Sequence, residues 1–171
     1  MRPSKLLALS GLCWVGLFCP NLTAQKTLNA NPGYTITIAS SAQPTRISAP
    51  INVTITVINI SNKDLDWRAE KHNTAYRAFN FALTNKGREI ETTVFHRKLT
   101  GKQRPEDPLD VENGGSFLGT LTQGRSVTYT VDLKQLYQIT EPGAYTLDVN
   151  RVEDDNKTVV RSNTLTLNIV P

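Results

Sequence analysis

The chain has 171 residues, with 19 Lys or Arg against 15 Asp or Glu and a formal net charge of +4. That length holds one ordinary domain, or one domain behind a processed leader. Basic and acidic side chains are interspersed throughout, with no basic stripe interleaved with aromatics, which argues against a nucleic-acid partner.

Arg2 and Lys5 open the chain, and an apolar run from Leu6 to Phe18 follows. Asn21-Leu22-Thr23-Ala24 then places a small residue at a cleavage point. This is the pattern of a secretory signal peptide over residues 1–24, shorter than the about 20 apolar residues of a bilayer-spanning helix. A lipid-anchored export signal needs a small residue before its cysteine, whereas Leu12 precedes Cys13 and Phe18 precedes Cys19. Both cysteines therefore belong to the leader. The mature domain, residues 25–171, is expected in the periplasm or medium, with no disulfide and no membrane span. Its net charge falls to +2 once Arg2 and Lys5 are gone. Chains of this size remove roughly 68–70% of their surface from water on folding, so a core alone suffices.

After the leader, apolar residues alternate with period two in short runs broken by Gly, Pro, Asn and Asp, the signature of β-strands. Tyr34, Ile36 and Ile38 share one face. A linker of small residues, Ser40 to Pro50, leads to the most regular run, Ile51, Val53, Ile55 and Val57, with Asn52, Thr54 and Thr56 opposite. Ser61 to Thr74 reads as a long polar loop. Phe79, Phe81 and Leu83 point inward from the next strand, and the Asn85-Lys86-Gly87 turn puts Gly where a hairpin needs positive φ. Glu89 to Leu99 reads as a further strand. Thr100 to Gly114 is a second long loop, read as an extended crossover along the molecule. Ser116 to Leu121 and Arg125 to Leu133 read as a hairpin closed by Thr122-Gln123-Gly124, with Val127, Tyr129, Val131 and Leu133 inward. Leu136, Tyr137 and Ile139 cover an end of the core. The last hairpin runs from Tyr145 through a tip at residues 153–157 to Val170, with a bulge at Ser162-Asn163.

Glu141-Pro142-Gly143-Ala144-Tyr145 resembles the corner that opens strand F of immunoglobulin-like sandwiches, where a tyrosine hydroxyl ties the turn to nearby backbone. Gly143 and Tyr145 are the residues of that corner. The fold expected is therefore all-β: an immunoglobulin-like antiparallel β-sandwich of seven to eight strands without a disulfide.

Chemistry is sparse. Nucleophilic catalysis needs a Ser or Cys beside an oriented His, and the mature chain has no Cys and only His72 and His96. His96 falls in phase with Ile90 and Val94, as a sandwich-edge residue. No zinc-ligand spacing occurs. An immunoglobulin-like topology would bring Asp64 and Asp66 toward Glu153, Asp154 and Asp155, oxygen donors of the kind calcium takes. The same end offers Trp67 with Arg68, His72 and Tyr76 as an aromatic platform for a protein or sugar; the alternative folds Trp67 back over the sandwich. Asn52-Val53-Thr54, Asn59-Ile60-Ser61 and Asn156-Lys157-Thr158 match glycosylation acceptors and read as chance in a Thr-rich chain.

The run Ile51 to Asn59 before Ser61-Asn62, the Asn85-Lys86-Gly87 turn, Leu121-Thr122-Gln123-Gly124 and the Pro142-Gly143-Ala144-Tyr145 corner resemble bacterial secreted immunoglobulin-like domains. Among these the chain is similar to the bacterial intracellular proteinase inhibitor family, sharing the apolar strand that ends in Asn-x-Ser and the Pro-Gly-x-Tyr corner. It departs in its export signal and its fifteen-residue loop. The resemblance implies inhibition through the Thr100 to Gly114 loop or the Trp67 loop, and no inhibitory residue carries over. The function expected is a secreted, non-catalytic module that binds protein or glycan or serves envelope structure. A proteinase inhibitor and a metal-dependent enzyme are the alternatives.

Overall fold

The computed structural model describes residues 33–70, 74–108, 116–153 and 157–171. The expected leader lies outside these residues, as do His72, Asp154 and Asp155. In chain order the elements are β1 (Tyr34–Ser40), β2 (Thr45–Arg46), β3 (Asn52–Asn59), β4 (Leu65–Glu70), α1 (Thr74–Ala78), β5 (Asn80–Asn85), β6 (Arg88–Glu89) and α2 (Val94–Leu99). They continue with β7 (Ser116–Leu121), β8 (Ser126–Asp132), α3 (Leu133–Leu136), β9 (Gly143–Val152), β10 (Val159–Arg161) and β11 (Leu165–Val170).

Three sheets result. One has the order β1-β3-β8, another β2-β11-β9-β5-β6 with β10 also on β9, and β4 pairs with β7 alone. All pairings are antiparallel except β2 with β11. The first two sheets share one core, because period-two alternation turns every second side chain the same way. Val53, Ile55, Val57 and Val131 from one sheet and Leu83, Leu147, Val149 and Leu167 from the other are almost wholly buried. Each such side chain contributes roughly 1.5–3 kcal/mol by leaving water.

Strands β1, β3, β5, β8, β9 and β11 fall where the alternation places them. The described residues nevertheless hold eleven strands, more than the expected seven to eight. Two or three residues, as in β2, β6 and β10, are too few for periodicity to register. Strand β4 and helix α1 occupy the stretch read as a polar loop. The segment read as a strand to Leu99 instead forms α2, because the Thr93 hydroxyl accepts the His96 N–H at 3.2 Å and caps a helix there. The β5–β6 turn follows expectation, with Lys86 and Gly87 at φ 50° and 76°.

The largest departure concerns Thr122-Gln123-Gly124. It does not close a hairpin between β7 and β8; β7 pairs with β4, and β8 with β3. The four strands form one bent two-stranded ribbon, and Asn59 holds the bend. Its Nδ2 donates to the Leu121 carbonyl at 2.7 Å and to the Lys63 carbonyl at 2.9 Å. Its Oδ1 accepts the Ser61 N–H at 2.9 Å and the Ser61 hydroxyl at 2.7 Å. With 1% exposure, this amide has both donors and both acceptor positions filled. Capture of the Leu121 carbonyl keeps β7 beside β4 and denies it to a hairpin.

On β11, β1 and β5, polar side chains stand in for neighbouring strands. Gln43 donates to the Thr166 carbonyl and accepts the Asn168 N–H along β11. Asn163 does the same to both backbone groups of Ile38 on β1, bridging the two sheets. It sits in a bulge where β10 and β11 carry one residue more than β9 between Arg161↔Asn150 and Leu165↔Leu147. The Tyr137 hydroxyl donates to the Phe81 carbonyl at 2.7 Å on β5. At the start of β9 the Tyr145 hydroxyl donates to the Glu141 carbonyl at 2.6 Å. A Cβ at Gly143 would stand 3.2 Å from the Asn85 amide, so a larger residue there would push the β5–β6 turn outward.

Asn59→Ala takes the amide donor from the buried Leu121 carbonyl, while the Ser61 N–H keeps the Gly33 carbonyl and the Lys63 carbonyl keeps the Ser61 hydroxyl. At about 1–3 kcal/mol for one buried unsatisfied group, the expected loss is about 1–3 kcal/mol in denaturant unfolding. A loss under about 1 kcal/mol would show that the bend holds without this amide.

Candidate functional site

Two of the side chains expected to form a platform, Trp67 and Tyr76, are in the interior. Trp67 lies on β4, not on a loop, and is 5% exposed. Its Nε1 donates to the Tyr129 hydroxyl at 2.6 Å, its ring meets Tyr34 edge-on at 5.3 Å, and the Arg151 guanidinium sits 4.2 Å from its centroid. Tyr34 donates to the Glu153 carboxylate; burial first, then that bond, raises its pKa above the usual tyrosine range. Tyr76 is buried edge-on to Phe95, and its hydroxyl accepts the Asp132 N–H. Arg68 pairs with Leu118 in the β4–β7 register. An exposed aromatic platform is therefore not what these residues build. The reason is that Leu65, Trp67 and Ala69 alternate with charged neighbours, so the indole falls on the inward side of a strand.

The expected calcium ligands do not converge among the described residues. The Asp64 carboxylate accepts the Gln123 N–H at 2.9 Å, and Asp66 is exposed on β4 opposite Thr120. No group of three or more His, Cys, Asp or Glu occurs there; Asp154 and Asp155 lie outside.

The structure instead builds a bracket around α2. Thr93 caps the helix and anchors it to α3: its N–H donates to the Leu136 carbonyl and its hydroxyl to the Gln135 carbonyl. Beyond α2 the chain from Thr100 to Pro108 is not an extended crossover. It curls back so that Asp107 meets Arg97 in a bidentate pair, Nε to Oδ2 at 2.8 Å and Nη2 to Oδ1 at 2.5 Å. The third guanidinium nitrogen donates to the Thr92 carbonyl, and the Arg104 N–H donates to Asp107. Arg97 and Asp107 are 7% and 6% exposed, and the fork geometry satisfies both. Hydrogen bonding from Arg97 holds the Asp107 carboxyl well below the usual carboxylate range. Nothing in the sequence marks this pair: its members stand ten positions apart with Pro105 between them, and no periodic pattern links them.

Between the bracket and the outer face of β5 and β9 lies a cleft of about 460 Å³. Asn80, Ala82, Thr84 and Asn150 present the sheet side, while Thr92, His96, Thr100 and Lys102 present the other. Ile90 and Tyr137 give it apolar surface. His96 is not on a strand edge as expected; it is in α2, edge-on to Tyr137 at 5.3 Å. Burial lowers its pKa, the Leu136 backbone opposes that shift, and Lys102 adds to it. Its Nδ1 has no hydrogen-bond partner among the described residues.

No protein-family model and no curated protein sequence matches the chain. Solved structures similar to it include β-glucosidase from Listeria innocua in complex with isofagomine, at 14% identity and a TM-score of 0.38. The glucose complex of the same enzyme gives 12% and 0.36, and the enzyme alone 16% and 0.37. The alignments cover 80–81% of this chain and 16% of the enzyme's.

A carboxyl with a depressed folded pKa adds stability above its unfolded pKa, about 3.9, and loses it as the pH falls below that value. The melting temperature of Asp107→Asn should therefore lie below wild type by a constant amount near neutrality, and the gap should close below about pH 4. A gap unchanged by acid would show that the ionised pair adds nothing.

Proposed function

We propose that this chain is an exported immunoglobulin-like β-sandwich module that works by binding a partner, without catalysis. The sheet orders β1-β3-β8 and β2-β11-β9-β5-β6, with a tyrosine bonded back across the corner before β9, support the immunoglobulin-like reading. The observation that carries the binding reading is the cleft itself. A buried, bidentate ion pair fixes the bracket over a rigid sheet, and the walls combine amides and hydroxyls with a little apolar surface. Such walls suit a short polar chain, a peptide or a saccharide, offering donors and acceptors at once. His96, the one histidine among the described residues, has its pKa lowered by burial and packs edge-on against Tyr137, an arrangement suited to a wall more than to a proton shuttle. Export to the periplasm or medium rests on the leader pattern of residues 1–24.

One feature favours proteinase inhibition as a second reading. Residues Gly101 to Glu106 are all exposed, and the Arg97–Asp107 pair ties the loop across its base. An exposed loop held in one shape is what a protease cleft accepts with least ordering cost.

Ala82 is exposed on the sheet side of the cleft, so Ala82→Trp fills the space without touching the core. On peptide and glycan arrays, partners retained by wild type should lose about tenfold or more in affinity with this variant, at unchanged melting temperature. Equal retention would place binding elsewhere. In a panel of serine proteases, the second reading expects inhibition that disappears in Arg104→Ala; no inhibition of any member sinks it.

A further inference from the structure

We propose that the free edge of β8, Ser126 to Thr130, pairs with the same edge of a second copy of this chain. The orientation of the β8 backbone follows from its bonds. The Arg125 carbonyl and the Leu133 N–H both bond across to β3, to Asn59 and Ile51, whereas the Asp132 N–H points the other way, to Tyr76. The β3–β8 register is unbroken from Asn52↔Asp132 to Ile58↔Ser126. Odd residues of β8 therefore bond to β3, and the N–H and C=O groups of Ser126, Thr128 and Thr130 face outward.

Among the described residues the other sheet edges are occupied at least in part. Gln43 and β2 lie along β11, β6 and Tyr137 along β5, and Asn163 along β1. Among the described residues, only the Asp132 end of β8 is covered. Residues 126–130 carry none of the devices that discourage edge pairing: no charged side chain, no proline and no bulge. Ser126, Thr128 and Thr130 are exposed and hydroxyl-bearing.

A second copy fits because the pattern is self-complementary. An antiparallel approach about a twofold axis through Thr128 sets Thr128 opposite Thr128 and Ser126 opposite Thr130, each an outward-facing pair able to exchange two backbone bonds. Hydroxyl side chains meet hydroxyl side chains across the axis, a favourable cross-strand match. The β1-β3-β8 sheet would then continue through the axis as one six-stranded sheet, leaving the α2 cleft, on the other sheet, open.

Sedimentation of the purified chain from low-micromolar to millimolar concentration tests this, alongside Thr128→Lys and Thr128→Pro. The N–H of Thr128 faces away from β3, so neither change removes a bond within one copy. The expected result is a wild-type mass that rises toward twice the monomer's, and variants that stay monomeric with a melting temperature close to the dilute wild type. Hydrogen exchange at the Thr128 and Thr130 amides should slow as wild type is concentrated, and not in Thr128→Lys. A wild type that stays monomeric throughout overturns the proposal, as does equal association of wild type and Thr128→Lys. Slowed exchange seen only on adding a foreign extended peptide also overturns it, by assigning the edge to another chain.

Discussion

The bend in the β3–β8 ribbon rests on one side-chain amide, and the far end of the molecule is arranged around that bend. Asn59 takes the carbonyls of Leu121 and Lys63 and the two donors of Ser61, so these groups at the turn keep partners away from water. Beyond the turn, β4 brings Trp67 between Tyr34, Tyr129 and Arg151. The indole closes the core there, and the guanidinium above it is held near the Glu153 carboxylate that receives the Tyr34 hydroxyl. Aromatic area, a cation over a π-face and two hydroxyl bonds thus depend on the ribbon bending where it does.

The same economy recurs at the edges. A sandwich leaves strands whose outward backbone groups need partners or water, and open edges invite unwanted pairing. Here Gln43, Asn163 and Tyr137 each offer a polar side chain in place of a neighbouring strand. Asn163 binds a strand of the opposite sheet, so the bulge that presents it locks the two layers to each other at the β1 edge. A single asparagine amide sets an acceptor oxygen beside a donor nitrogen, as a peptide group does, which is why it can substitute for one.

Much of this fold was legible from alternation. Ile51 to Val57, Val127 to Leu133, Tyr145 to Val149 and Leu165 to Ile169 each run far enough for period two to declare the strand and its inner face. The Ser162-Asn163 interruption was legible as a bulge, and Asn85-Lys86-Gly87 as a turn. Strand β4 was hidden in plain view, because Asp64, Asp66, Arg68 and Glu70 gave the stretch the composition of a loop while Leu65, Trp67 and Ala69 kept the strand period. Helix α2 was hidden for the opposite reason: Ile90 and Val94 suggested a strand, and a single capping hydroxyl on Thr93 decided for a helix. The cleft was not legible at all. Its walls come from β5, β9, α2 and the turn after it, and the Arg97–Asp107 pair that positions them has no local pattern.

Strand β2 is short, yet its direction matters when the chain is under tension. It lies parallel to β11, with Thr45 opposite Ile169 and Arg46 opposite Val170, and Ile47 and Gln43 extend the contact on either side. Stretching the described chain from its two ends draws parallel neighbours past each other, so these bonds share the load in shear and do not open one at a time. Resistance to such a pull is set by the barrier to unfolding and not by equilibrium stability. A two-residue strand thereby gives the molecule a mechanical clasp between its second strand and its last.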